Sequence, residues 1–288
     1  MLVSATEMIN KAHEGHYAIG AFNINNLEWT KAILAAAEEA KSPVMLGVSE
    51  GAAKYMCGFK TVAAMVKEIH DAMGITVPVA LHLDHGSYEG AKAAIEAGFT
   101  SVMFDGSHYA FEENLEKSKE MIALAHSKGL SIECEVGGIG GEEDGVVSAG
   151  ELADPEECKT IADLGVDFLA AGIGNIHGKY PANWAGLNFD RLGEIQNATN
   201  GKPLVLHGGS SNKDEEIAEA VKNGICKINI SSDIKVAFYE QARKTLNENP
   251  GYREPLEIYP AAMEACGKVC ADKIRLFNSQ DKVKCYYE

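Results

Sequence analysis

Three apolar runs of this chain break off into histidine and glycine. Val77 to Leu83 gives way to Asp84-His85-Gly86, Phe168 to Ile176 to His177-Gly178-Lys179, and Pro203 to Leu206 to His207-Gly208-Gly209-Ser210. Aspartate can move protons, neutral imidazole can bind a borderline-soft metal such as zinc, and glycine lets the backbone turn away or approach a ligand. One such strand end carries little. His82 and His85 read equally well as hydrogen-bonded histidines, and Asp84 as a helix cap. Recurrence adds weight, because three imidazoles at three strand ends could converge on one ion with the open position of a catalytic zinc. The competing reading is three separately satisfied histidines.

Two neighbouring features suit an anionic substrate. Gly178 and Gly208-Gly209 allow backbone N–H groups to approach an anion, Ser210, Asn229 and Ser232 add donors, and Lys179 adds a charge unless it is simply solvated. Between 137 and 145 the chain carries glycine at 137, 138, 140, 141 and 145 together with Glu142, Glu143 and Asp144. That composition reads as a mobile acidic lid able to bring a carboxylate base onto substrate, or else as an exposed linker.

These residues need a scaffold, and the chain alternates in a way that supplies one. Strand-like runs at Tyr17–Ile24, Val44–Ser49, Val77–Asp84, Ser101–Asp105, Ser131–Val136, Asp167–Ile173, Pro203–Leu206 and Cys226–Ile230 are each followed by a helix-like segment, the last being Asp233–Asn247. Eight βα units predict an α/β fold of the (β/α)8, or TIM, barrel type. An additional C-terminal helix is predicted over Tyr259–Leu276, in a single domain spanning 1–288. Catalytic groups of such barrels come from the C-terminal ends of different strands. Here those ends carry Asn23, Ser49, Asp84-His85, Asp105, Glu135, His177-Gly178, His207 to Ser210 and Asn229 to Ser232.

Composition narrows the function classes. A formal charge of −16 over 288 residues argues against a nucleic-acid partner. No apolar run approaches a membrane span, and the N-terminus lacks the pattern of a secretory signal, which predicts a cytoplasmic protein without a membrane partner. The seven cysteines form no Cys-x-x-Cys pair and read as reduced, mostly buried thiols.

The residues carry a family resemblance. His82-Leu83-Asp84-His85-Gly86, Phe104 to His108, Glu133 to Gly137 with Gly140 to Gly145, Gly174 to Gly178, and Leu204 to Ser210 resemble the class II, zinc-dependent fructose-bisphosphate and ketose-bisphosphate aldolases. The resemblance implies a lyase of glycolysis that reversibly cleaves fructose 1,6-bisphosphate to dihydroxyacetone phosphate and glyceraldehyde 3-phosphate through a zinc-stabilised enediolate. It implies His85, His177 and His207 as zinc ligands and Asp84 as the acid/base at the cleaved bond. Glu143 becomes the base for the triose carbon, and Glu135, with Asp105, a carboxylate near the metal. Gly178, Gly208, Gly209, Ser210, Asn229, Ser231 and Ser232 become the phosphate cradle, with Lys179, Asn23 and Ser49 as further contacts. A sodium or potassium ion and a homodimer or homotetramer belong to the same picture.

The chain departs from the family in places. Asn229-Ile230-Ser231-Ser232 replaces Asn-x-Asp-Thr or Asn-x-Asn-Thr, Glu254-Pro255-Leu256 replaces Asp-Pro-Arg, and Asn278-Ser279-Gln280 replaces Gly-Ser-Ala. These changes bear on the sugar and its second phosphate rather than on cleavage, and Arg253 is a candidate replacement for the missing guanidinium. Tagatose 1,6-bisphosphate or a deoxy-keto-acid phosphate is thus an alternative substrate. Zinc hydrolysis and non-catalytic sugar-phosphate binding are alternative functions.

Overall fold

Apolar strands buried on both faces have no stable edge in water, and here they close on themselves. The computed structural model describes residues 2–143, 146–178, 180–210 and 212–286, apart from the side chains of Glu143, Val146, Val147 and Cys285. The parallel strands β1 (Ile19–Asn23), β2 (Val44–Val48), β3 (Val79–Gly86), β4 (Ser101–Phe104), β5 (Ser131–Val136), β6 (Phe168–Ala171), β7 (Leu204–Leu206) and β8 (Ile225–Ile230) form a closed barrel. β8 pairs with β1 to complete it, Ile19 lying opposite Lys227 and Phe22 opposite Ile230. The predicted (β/α)8 barrel is therefore present, and so is the C-terminal helix, at Pro260–Leu276.

Strand alternation divides the core. Leu81, Leu83, Ile132, Cys134 and Leu169 face the surrounding helices, whereas Ala80, Met103, Phe168, Ala170 and Val205 face the barrel axis. A helix the sequence reading did not anticipate, Ala5–Glu14, seals the N-terminal end by adding Met8 and Ile9 to that axial layer. The axis also carries polar groups, with His82, Glu133 and Lys227 fully buried.

β3 carries Asp84 and His85, so its position matters. Glu38, near the end of helix Leu27–Glu39, accepts hydrogen bonds from Thr76 N–H (2.7 Å), the Thr76 hydroxyl (2.7 Å) and Val77 N–H (3.1 Å), and pairs with Lys41. Burial opposes the charge, but Lys41, Thr76 and Val77 together pull the carboxyl down to about 2. A carboxyl depressed in the folded state stabilises the fold above its ordinary range, and the contribution fades as pH falls through about 2. Glu38→Gln should therefore melt a few degrees below wild type at neutral pH, with the gap closing on acidification. A gap constant across an acid titration of both proteins would refute this role.

The described residues of the segment after β5 pair as short strands. Gly140–Glu143 pairs antiparallel with Val146–Ser148 and parallel with the two-residue strand Ile176–His177. Gly141 has φ 94°, and a Cβ there would lie 2.2 Å from the His177 carbonyl oxygen. The glycine serves close strand approach as well as turning. It also places His177 differently from the prediction. His177 sits on this small sheet, beyond the end of β6, rather than at the end of a barrel strand.

Candidate metal centre and active site

Consecutive strand residues normally face opposite sides, yet Asp84 and His85 both reach the mouth of the barrel. The β3–β4 register shifts between Leu83 and Gly86, and His85 adopts φ 47°. Such a bulge re-aims side chains at a strand end. Gly86 makes room for it, since a Cβ there would meet Leu83 and, at 2.5 Å, the Met103 carbonyl oxygen.

Three imidazoles meet there. His85 Nε2 lies 3.2 Å from His177 Nε2, and the His207 ring centre lies 4.4 Å from that of His85 and 5.9 Å from that of His177. Carboxylates fix two of the rings from behind. His85 Nδ1 donates to Asp105 Oδ2 (2.8 Å), and Asp105 Oδ1 accepts from Ser107 N–H (3.1 Å) and hydroxyl (2.7 Å). His207 Nε2 donates to Glu133 Oε1 (2.7 Å), which leaves His207 Nδ1 buried without a hydrogen-bond partner. Burial and the charge on His85 hold His177 down, to about 3, and burial likewise lowers His207. Glu135 is buried with Oε2 unpartnered, 3.8 Å from His85 Nδ1, and burial together with Asp105 pushes its carboxyl well above the usual range. His85, Asp105 and Glu135 form a second group of donor atoms close enough to hold an ion.

Asp84 lies against this cluster, with Oδ1 3.9 Å from His207 Nδ1. Asn23 donates to Asp84 Oδ2 (2.9 Å) and Asn229 to Oδ1 (2.8 Å). Burial alone would raise the carboxyl, but the positive charges of His85 and Lys227 hold it well below the ordinary range. The two asparagines, expected as substrate contacts, thus grip the Asp84 carboxylate.

A cavity of about 530 Å³ opens over the cluster. Of the expected cradle, Gly178, Gly208, Ser210, Asn229, Ser231 and Ser232 line it. Gly208 has φ 65°, and a Cβ there would fall 2.2 Å from the Ile176 carbonyl oxygen, so the His177 and His207 segments are pressed together at a glycine. Asn175 donates to the His207 carbonyl (3.0 Å) and the Tyr180 hydroxyl to the Gly208 carbonyl (2.8 Å), locking the same pair. Ser210 Oγ accepts from Ser231 N–H (3.2 Å) and Asp233 N–H (3.4 Å) at the start of helix Ser232–Glu248. Two expected contacts lie apart from the cavity wall. Ser49 caps helix Glu50–Tyr55 through Ala52 N–H (3.2 Å), and Gly209 N–H donates to the Asn229 carbonyl (3.0 Å). Lys179 and the side chain of Glu143 lie outside the described residues, but Glu142 lines the cavity.

Lys235, on a helix with no sequence motif to mark it, is the one lysine among the described residues lining the cavity. Its ammonium has no hydrogen-bond or ion-pair partner among the described residues, whereas the nearby Asp233 is paired with Lys273 (3.0 Å). Arg253 is turned to its own exposed loop, donating to the Pro250 (2.7 Å) and Tyr252 (2.6 Å) carbonyls, and Leu256 is 81% exposed.

A closed parallel barrel with an imidazole cluster, an ionised aspartate and a glycine–serine anion cradle at its C-terminal face has the anatomy of a metal-dependent carbon–carbon lyase. The family model for class-II fructose-bisphosphate aldolases matches residues 3–282, and the chain belongs to that family, whose members are metal-dependent. It is 52% identical to the fructose-bisphosphate aldolase of Mycoplasma pneumoniae, over 98% of this chain and 100% of that one. Identity to the fructose-bisphosphate aldolase of Streptococcus pneumoniae is 54%, over 84% and 83% of the two chains. The crystal structure of the YdjI aldolase of Escherichia coli K12 superposes with a TM-score of 0.83 at 32% identity, covering 98% of this chain and 100% of that one. Among the described residues no helix is long and apolar enough to cross a membrane.

The residues present fit a metal. Three nitrogen donors lie within 4.8 Å of one another, and the buried, partnerless His207 Nδ1 lacks the hydrogen-bonding group that burial otherwise demands.

Proposed function

We propose that this aldolase acts on fructose 1,6-bisphosphate with a single zinc ion held by His85, His177 and His207. The observation that carries the reading is the convergence of the three imidazoles, two of them oriented from behind by Asp105 and Glu133. When bound, the ion supplies a Lewis acid for the negative charge that develops as the carbon–carbon bond breaks. Asp84, ionised and aimed by Asn23 and Asn229, accepts the proton of the hydroxyl at the cleaved bond. Glu143 exchanges a proton with the triose carbon. Gly178, Gly208, Ser210, Ser231 and Ser232 receive the triose phosphate at the start of a 17-residue helix, where backbone N–H groups favour an anion. The substrate assignment is supported by relatives of 52% and 54% identity bearing the fructose-bisphosphate name, which disfavours the tagatose, keto-acid and non-catalytic alternatives.

Metal analysis tests the centre. Purified protein should hold one zinc per chain, and Ala at any of His85, His177 or His207 should empty it. Undiminished zinc in all three variants would overturn the reading. The same reading places the enzyme in the cytoplasm as a single-domain chain in a homodimer or homotetramer, which the exposed Val236 and Tyr239 on one helix suit. Light scattering measures the assembly.

Lys235 bears on phosphate binding. An ammonium on phosphate is charge-assisted and contributes roughly tenfold or more to affinity. Lys235→Met should raise KM for fructose 1,6-bisphosphate by about that factor with kcat nearly unchanged. An unchanged KM in steady-state kinetics would remove Lys235 from the site.

A further inference from the structure

Beneath the three imidazoles lies a buried charged pair, one member of which, Glu133, backs His207. Lys227 on β8 and Glu133 on β5 are both fully buried on the barrel axis, with Nζ 2.7 Å from Oε2. Glu133 lies in register with Met103 and Phe168, members of the apolar axial layer. A buried ion pair is costly to desolvate, and apolar side chains of similar volume often serve stability as well or better.

We propose that the Lys227–Glu133 pair is a positioning device that fixes the tautomer of His207, so that Nδ1 and not Nε2 faces the metal. This rests on the assignment of His207 as a ligand. An ammonium can only donate, so the Glu133 oxygen beside it must accept. The carboxylate so held has only acceptors, and its other oxygen lies 2.7 Å from His207 Nε2. That nitrogen must therefore carry the hydrogen. Nδ1 is left with its lone pair, and it is the ring atom without a partner. Lys227 itself need not touch the substrate or the metal. His82 joins the group from β3, with Nε2 3.3 Å from Glu133 Oε2 and Nδ1 2.8 Å from Ser101 Oγ.

Glu133→Gln turns this logic into a test. In the variant Lys227 would hold the amide carbonyl, so the NH2 group would face His207 Nε2. The ring would have to accept there and carry its hydrogen on Nδ1, in the metal's place. Zinc affinity, read by competition with a chromogenic chelator, should fall roughly tenfold to a hundredfold, the range for groups that orient a metal-bound histidine. Adding Lys227→Met frees the amide to turn its carbonyl to His207, so the double variant should bind zinc more tightly than Glu133→Gln alone. A purely structural pair predicts the opposite, with the second change adding damage. In zinc-loaded wild type, nitrogen-15 NMR of labelled histidine should show the His207 hydrogen on Nε2, a measurement that stands even if a variant fails to fold. Zinc affinity within about twofold of wild type in Glu133→Gln, no recovery in the double variant, or an Nδ1 hydrogen in wild type would each overturn the proposal. His207→Ala separates the two levels. If it keeps full zinc affinity, the ligand assignment fails. If it loses zinc while Glu133→Gln does not, only the positioning role fails.

Discussion

Protein stripped of metal by a strong chelator should cleave no measurable fructose 1,6-bisphosphate, and zinc added back should restore the activity. Breaking the carbon–carbon bond of a ketose leaves an electron pair beside a carbonyl, and that pair needs a sink. A Lewis acid contributes several kcal/mol to such a step, so its removal should slow turnover by about a thousandfold or more. The protein offers little in its place. Lys227 is fully buried and engaged by Glu133 (2.7 Å), and among the described residues Lys235 is the one lysine on the cavity wall able to form an imine with a ketose. Borohydride treatment in the presence of dihydroxyacetone phosphate should therefore leave the chain unmodified. Near-full turnover in protein shown by mass spectrometry to be metal-free, or a trapped adduct on Lys235, would replace the metal mechanism with a Schiff-base one.

The three histidines proposed as ligands stand out in the sequence because each follows an apolar run. Asp84 and His85 follow the β3 residues Val79 to Leu83, His207 follows the β7 residues Leu204 to Leu206, and a change from apolar to His-Gly is visible without knowing the fold. Glu133, Lys227 and His82 were harder to see as a functional group. On β5, Ser131, Glu133 and Glu135 alternate with Ile132, Cys134 and Val136, and all six are buried. In an isolated sheet the polar face of such a strand meets water, whereas here it meets the barrel axis, so alternation alone hides the charge network. The barrel was legible at the level of its period, because eight strand–helix alternations are long-range arithmetic that small boundary errors do not disturb.

Glycine has a second use that its frequency does not reveal. Besides any mobility that the five glycines between 137 and 145 confer, Gly141 permits the close strand approach that positions His177, and Gly208 does the same between the His177 and His207 segments. Whether a glycine loosens a chain or lets two backbones touch depends on what lies opposite, and a single sequence does not show that. Similarly, helix Ala5–Glu14 has only Ala5, Met8, Ile9 and Ala12 on its buried face, a stripe with two small residues that stands out only once the open end of a barrel is there to be covered.

Asp84→Ala and Glu143→Ala should fail in different ways, and the contrast tests the division of labour in the site. Asp84 lies beside the imidazoles, is kept ionised by the positive charges of His85 and Lys227 and is fixed in place by Asn23 and Asn229, which suits it to the proposed transfer of the hydroxyl proton at the scissile bond. Its removal should cut cleavage by roughly a hundredfold to ten-thousandfold, the usual range for a lost general base. It should leave solvent hydrogen exchange into dihydroxyacetone phosphate largely intact, because exchange needs only the triose carbon to be deprotonated. Glu143→Ala should lose exchange and cleavage together, since the triose cannot complete its half of the reaction. Neighbouring Glu142 lines the cavity, which makes Glu142→Ala the necessary companion: retention of exchange there, with loss in Glu143→Ala, assigns the base to Glu143. Because Asp84→Ala strands two buried amides, its fold should first be checked by thermal melting. Exchange lost to the same degree in Asp84→Ala and Glu143→Ala, in protein that melts like wild type, would mean that one proton relay serves both steps.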